Sequence, residues 1–383
     1  MTNRLLRIVM NMPQTGSTSA LLRNLRHRCI LWPLALTLCP LNAGAAPLDA
    51  LLNADEFSYA GQMRLEASKD AINDTLDLLK IRSSNPIYSG TNVGDYNGSH
   101  FKLAYAVTDR LLAQGSLWQR SITYRADEAA LTSWQLAGQY RFLGDANQPL
   151  HLAVRFSAWG DQADRMTKSS PTALGERQVT NVAIQSLRDT QNQADLIGTW
   201  RLTGKTSISS FIGAGHSEVL LGDVTANYTA SNGCNYLLSF TKAGANGDRV
   251  GLCTALGPVL DTFNSPQNGL LDFSYGADYL HLGSAVHWRN DAWSLKGGYQ
   301  FQKIWRNHVD ELIVTSGGMP YKSNHIFVAE VMRKVGPRVA LLLRGQVMSN
   351  QLVGEVPFFY NQITANKFNN SYGYFSFGIV VGF

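Results

Sequence analysis

Along most of this 383-residue chain, apolar and polar residues alternate in stretches of roughly ten, and turn formers separate the stretches. A period of two marks strands with one apolar and one polar face. The clearest sets Trp134, Leu136, Tyr140 and Phe142 against Ser133, Gln135, Gln139 and Arg141, or Trp293, Leu295, Tyr299 and Phe301 against Ser294, Lys296, Gln300 and Gln302. About twelve strands can be read this way. The first is weak, over 57–68. The second spans 100–107. The third, 111–124, loses phase near Arg120, where a bulge would restore it. Short turns at Asp109, Asp145, Gly204, Asn290 and Gly336 alternate with longer segments, among them 161–190 and 218–271, read as polar connections. A hairpin hidden within 219–263 would raise the count to about fourteen. Residues 71–81 read either as a small helix in the first loop or as a strand extension. The expected fold is all-β: a transmembrane, antiparallel, up-and-down barrel whose short turns lie on one side and long loops on the other.

The chain ends on Ser376-Phe377-Gly378-Ile379-Val380-Val381-Gly382-Phe383. Phe375, Phe377, Ile379, Val381 and Phe383 share one strand face, and smaller, more polar residues share the other. The polar Ser376, Gly378, apolar Val381 and terminal Phe383 fit the pattern polar-x-Gly-x-x-apolar-x-aromatic. That ending resembles the insertion signal of bacterial outer-membrane β-barrels. The resemblance implies a Gram-negative outer membrane, contact with its lipid and lipopolysaccharide, and assembly by the barrel-insertion machinery.

At the other end, Arg4, Arg7, Arg23, Arg26 and Arg28 precede an apolar stretch over 30–41 and an Ala43-Gly44-Ala45 site. This reads as a secretory signal peptide, residues 1–45, ahead of a barrel over 46–383. No run elsewhere is long and apolar enough for a membrane helix. Cleavage after Ala45 would leave Cys234 and Cys253, read as a loop disulfide in an oxidising compartment. The net charge of +5 includes the leader's arginines, so the mature chain is near neutral, and no nucleic-acid motif is present. No metal-ligand spacing and no cofactor motif is found.

Function is sought on the inward face. Arg64, Lys102, Arg120, Arg155, Lys296 and Arg344 point inward in this register, with Arg141, Arg201, Arg289 and Lys334 near the periplasmic rim. Glu66, Asp195 and Glu330 oppose them. A basic excess concentrates small anions. Alternatively, the charges pair across a narrow lumen and fill it. Arg120, Arg155, Lys296 and Arg344 are the candidate solute contacts, with Asp195 and Glu330 as counter-charges. The arrangement resembles the narrow, roughly twelve-stranded channels for acidic oligosaccharides and other small-solute porins, which implies passive diffusion of small hydrophilic anions.

No catalytic residue is assigned. A hydrolase would need a base beside a nucleophile, and the one conceivable set, Asn192, His216 and Ser274, faces outward near the external rim. A receptor, adhesin or export barrel remains an alternative reading. Trp134, Trp159, Trp200, Trp288, Trp293 and Trp305 fall at strand ends, as an aromatic girdle requires.

Overall fold

The computed structural model describes residues 59–72, 93–124, 127–145, 148–174, 177–231, 233–241, 244–252, 273–315, 317–350, 353–362, 364–365 and 371–383. The leader, Cys253 and nearly all of 71–81 lie outside them.

Twelve strands close an antiparallel barrel. In order around the wall they are β1 (Met63–Ile72), β2 (Val93–Thr108), β3 (Leu111–Tyr124), β4 (Asp127–Leu143) and β5 (Leu150–Lys168). Then come β7 (Arg177–Arg201), β8 (Thr206–Leu220), β12 (Tyr275–Arg289), β13 (Trp293–Arg306), β14 (Ser323–Lys334), β15 (Val339–Met348) and β16 (Tyr372–Gly382). Closure is made by β1 against β16, from Arg64 opposite Gly382 to Ala71 opposite Phe375. Closure removes the open edge that a single sheet would expose, so backbone groups within the membrane find partners in neighbouring strands.

The alternation read in the sequence becomes the two walls. Phe377 is 61 % exposed while Ser376 beside it is 2 % exposed. Phe101, Leu136, Phe156, Ile212, Leu282 and Phe327 face outward, and Ser133, Gln139, Gln193 and Gln300 face inward. An outer wall this apolar is an aggregation surface in water and a solvated one in lipid. Trp134, Trp200, Trp293 and Trp305 stand on the outer wall, but Trp159 is buried inside, because it keeps the inward phase of β5.

Three expectations are corrected. No bulge occurs at Arg120: β3 pairs continuously with β4, and Gln114, Ser116, Arg120 and Ile122 all stay inward. The apparent slip arose because Trp118 and Ile122 are large residues on the lumen side. The segment 161–190 is not a loop. β5 and β7 continue as a paired ribbon to Lys168 opposite Val182, and the short β6 (Thr172–Leu174) adds to β7. At 25 residues, β7 far exceeds the nine to eleven or so that span a bilayer. Finally, 218–271 does hold strands: β9 (Val224–Thr229), β10 (Asn235–Thr241) and β11 (Gly244–Val250). They attach to the outer end of β7 and do not enter the barrel circuit, so the count stays at twelve. Val179, Val224, Ala226 and Leu238 pack as an apolar cluster in this external sheet. Cys234 is buried there and disulfide-bonded.

A short helix, α1 (Val309–Thr315), lies in the loop after β13. No described helix is long and apolar enough to cross a membrane.

Candidate functional site

The four candidate contacts, Arg120, Arg155, Lys296 and Arg344, and the counter-charges Asp195 and Glu330 all face inward, and the register explains how they meet. Lys296 faces Glu330 across β13 and β14, and Glu330 faces Arg344 across β14 and β15. Arg344 donates from Nε and Nη2 to one Glu330 oxygen, at 2.9 and 2.7 Å. The same Nη2 lies 3.0 Å from Glu66 on β1, and Lys296 Nζ lies 3.4 Å from Glu330. This belt alternates in sign and is buried, so each charge is compensated by its neighbour rather than by bulk water. On the opposite wall Arg155 faces Asp195. Arg155 donates to Gln114, while Asp195 accepts from Gln193 at 2.7 Å and lies 2.7 Å from His281 Nε2. Gly213 makes that pair possible, since a Cβ there would collide with both Asp195 and His281.

Arg120 stands apart, higher in the barrel, and its role was not legible in the sequence. Its Nη2 donates to Asp161 at 2.7 Å and to Ser133, and its Nη1 donates to Glu355 at 2.5 Å. Glu355 belongs to the connection between β15 and β16. Residues 353–361 of that connection are buried, including Val356, Phe358, Phe359 and Tyr360. A loop this apolar does not stand in water; it folds into the lumen. Gln346 on β15 donates to Glu355 at 3.4 Å, Tyr275 on β12 donates to the Pro357 carbonyl at 2.7 Å, and Gln191 on β7 approaches the Glu355 carbonyl at 3.5 Å. These strands lie on different sides of the barrel, so the loop crosses the external half of the lumen. Tyr360 adds a further anchor, with the Arg306 guanidinium 4.1 Å from its ring centre. Burial pushes the Tyr360 hydroxyl up to about 12. The sequence signal was available in Val-Pro-Phe-Phe-Tyr at 356–360, an apolar run inside an Asn-rich segment.

Below the belt, at the end of the barrel where the short turn at 335–338 lies, is a cavity of about 510 Å³. Arg64, His287, Arg289, Lys296, Lys334 and Arg338 line it, and no Asp or Glu does. Arg289 and Lys334 were expected near this rim, and Arg338 joins from the turn between β14 and β15.

The outward set does not assemble into a hydrolase. Asn192 and His216 are opposite one another on β7 and β8, and His216 Nδ1 lies 2.6 Å from Asp278. Ser274 sits farther along, where its hydroxyl accepts the Leu221 N–H at 3.2 Å. Among the described residues, no cluster of His, Cys, Asp or Glu is arranged to hold a metal ion.

No family model and no curated protein matches the sequence. Solved structures with a similar barrel include the translocator domain of the autotransporter NalP from Neisseria meningitidis, at 12 % identity and a TM-score of 0.42, over 88 % of this chain and 92 % of that one. The NanC porin is similar at 7 % identity and a TM-score of 0.39, over 82 % and 98 %. The toluene transporter TodX from Pseudomonas putida is similar at 10 % identity and a TM-score of 0.39, over 89 % and 94 %. These likenesses are of barrel architecture only. On its own closed topology and two-sided wall, the chain is a twelve-stranded antiparallel β-barrel with an apolar outer face.

Proposed function

We propose that this barrel is a narrow channel for small hydrophilic anions, exported by its leader and inserted by the barrel-assembly machinery into an outer leaflet of lipopolysaccharide. The observation that carries the reading is the periplasmic cavity, lined by six basic or imidazole side chains and no Asp or Glu. Such a bowl raises the local anion concentration within a Debye length of its walls. The interior above it is built for hydration. The side-chain nitrogens of Gln114, Gln135, Gln139, Gln300 and Gln302 are buried without a protein acceptor among the described residues. A dry donor of this kind costs about 1–3 kcal/mol, so five of them favour a path wetted by water or polar solute over a filled core. The loop at 353–361 narrows the external entrance. Asn192, His216 and Ser274 do not come together as a base and nucleophile, which supports a non-enzymatic role over a lipid hydrolase.

The test is the reversal potential of the refolded mature chain in a planar bilayer under a salt gradient. The proposal expects anion-selective conductance that differs with the sign of the voltage. The asymmetry follows from the carboxyl groups of Asp70, Asp161, Asp189 and Glu355 gathering near Arg120 at one end while basic groups line the other. Cation selectivity would overturn the anion reading. Absence of conductance, with the loop deleted as well, would leave a receptor or adhesin barrel.

A further inference from the structure

The periplasmic cavity has two unlike walls. One is basic. The other breaks the rule that a barrel interior is polar: Ala104, Ala106, Leu112, Ala340 and Val380 all line it. Ala104, Ala106, Leu112 and Val380 are buried on the inward face, although the β2–β3 pairing shifts register between Ala106 and Thr108. Ala104 lies opposite Gln114, Leu112 opposite Gln139, and Ala340 opposite Val380. Ala104, Ala106 and Leu112 form an apolar cluster of their own, separate from the main one. Among the described residues, the external loop's recorded partners lie on the upper parts of β3, β7, β12, β13 and β15.

On the facing wall Arg289, Lys334 and Arg338 make no ion pair with a carboxylate among the described residues. A desolvated apolar wall and uncompensated cations across about 510 Å³ meet the general description of a small-molecule site: mostly apolar, with a few converging polar groups.

We infer that the periplasmic cavity is a binding site for an amphiphilic organic anion, a carboxylate carried on a flat or compact apolar body such as an aromatic acid. The carboxylate meets Arg289, Lys334 and Arg338, and the apolar body covers Leu112 and its alanine neighbours. Small residues on that wall leave room for a ring, and the basic wall supplies the forked donors that suit a carboxylate. The inference builds on the anion-channel reading by naming a class of solute, but binding is measurable without conduction.

The experiment is titration of 2-naphthoate into the refolded full-length mature barrel in lipid nanodiscs, with acetate and sulfate as controls. The expected result is saturable binding of 2-naphthoate, with acetate weaker by about a hundredfold because it leaves the apolar wall uncovered. Arg289→Gln with Lys334→Gln is expected to weaken binding by at least about tenfold. Leu112→Asn is expected to weaken 2-naphthoate selectively and leave sulfate unaffected. Heat-modifiable migration on gels verifies folding of each variant, and Leu112→Ser replaces any variant that does not fold. Equal affinity for 2-naphthoate and sulfate would overturn the apolar component. Binding unchanged in the Arg289–Lys334 double variant would show partition into lipid and overturn the site. Either result leaves the conductance test untouched, so failure here is separable from failure of the channel reading.

Discussion

Arg120 on β3 and Glu355 in the last external loop meet inside the barrel at 2.5 Å, although 235 residues separate them in the chain. The contact ties a mobile class of element, a long loop, to the rigid wall. Arg120 also holds Asp161, so one guanidinium serves two buried carboxylates. The loop's seat therefore crowds two carboxyl groups around one cation.

Reversing the charge at that contact is expected to release the loop. Glu355→Lys places two cations within contact distance in a poorly solvated site, at a cost on the order of several kcal/mol. Single-channel conductance is expected to rise, and trypsin is expected to cut the loop in intact cells. A conductance equal to the parent would mean that the loop does not limit the path.

The pH dependence follows from the same carboxyl. Burial raises the Glu355 pKa above 4.5; Arg120 pulls it down, and Asp161 and Asp70 push it further up. Because the seated loop holds the proton more tightly than a solvated one, seating is fully favoured below the ordinary carboxylate range. It weakens as pH rises through the raised value. Conductance is thus expected to increase from acid to neutral pH, and Glu355→Gln, locked in the neutral form, is expected to flatten the profile. A conductance that peaks in acid would contradict this sign.

Arg344 bridges Glu330 and Glu66, so its first role is structural. Arg344→Met strands both carboxylates and is expected to cost about 3–5 kcal/mol. The check is the temperature at which the folded band converts on a semi-native gel. A small shift would show that Lys296 and the neighbouring basic groups compensate the belt alone.

At the closing seam, a Cβ on Gly378 would sit 2.5 Å from the Ala67 carbonyl oxygen, whereas one on Gly382 would meet nothing within 4 Å. Gly378→Val is expected to block pairing of β1 with β16 and lower the assembled fraction, and Gly382→Ala is expected to be neutral. Phe383 exchanges backbone hydrogen bonds with Met63, at 2.8 and 3.3 Å, so its removal opens the last rung of the seam. Its deletion is expected to slow insertion in the same assay. Equal assembly of both glycine variants would remove the steric account of the terminal signal.

The barrel itself was legible in the chain. Alternation at Trp134–Phe142 and Trp293–Gln302, the turn formers and the terminal Ser376-to-Phe383 pattern each depend only on neighbours along one strand, and a period of two is a local property. The strand count survived for the same reason. The inward charges were legible as a set, because facing inward is decided by phase.

Which of those charges touch was not legible. Arg344 reaches Glu66 across β16, and Arg120 finds Asp161 two strands away, through shear and closure that no single strand encodes. The extension of β5 and β7 was hidden because polar residues on a ribbon outside the membrane need no lipid-facing phase. The folding of 353–361 into the lumen, and the apolar wall at Leu112 below it, exist only once twelve strands enclose a volume. Local hydrophobic pattern sets which face a side chain takes; the enclosed space, and what occupies it, is set by the closure of strands far apart in the chain.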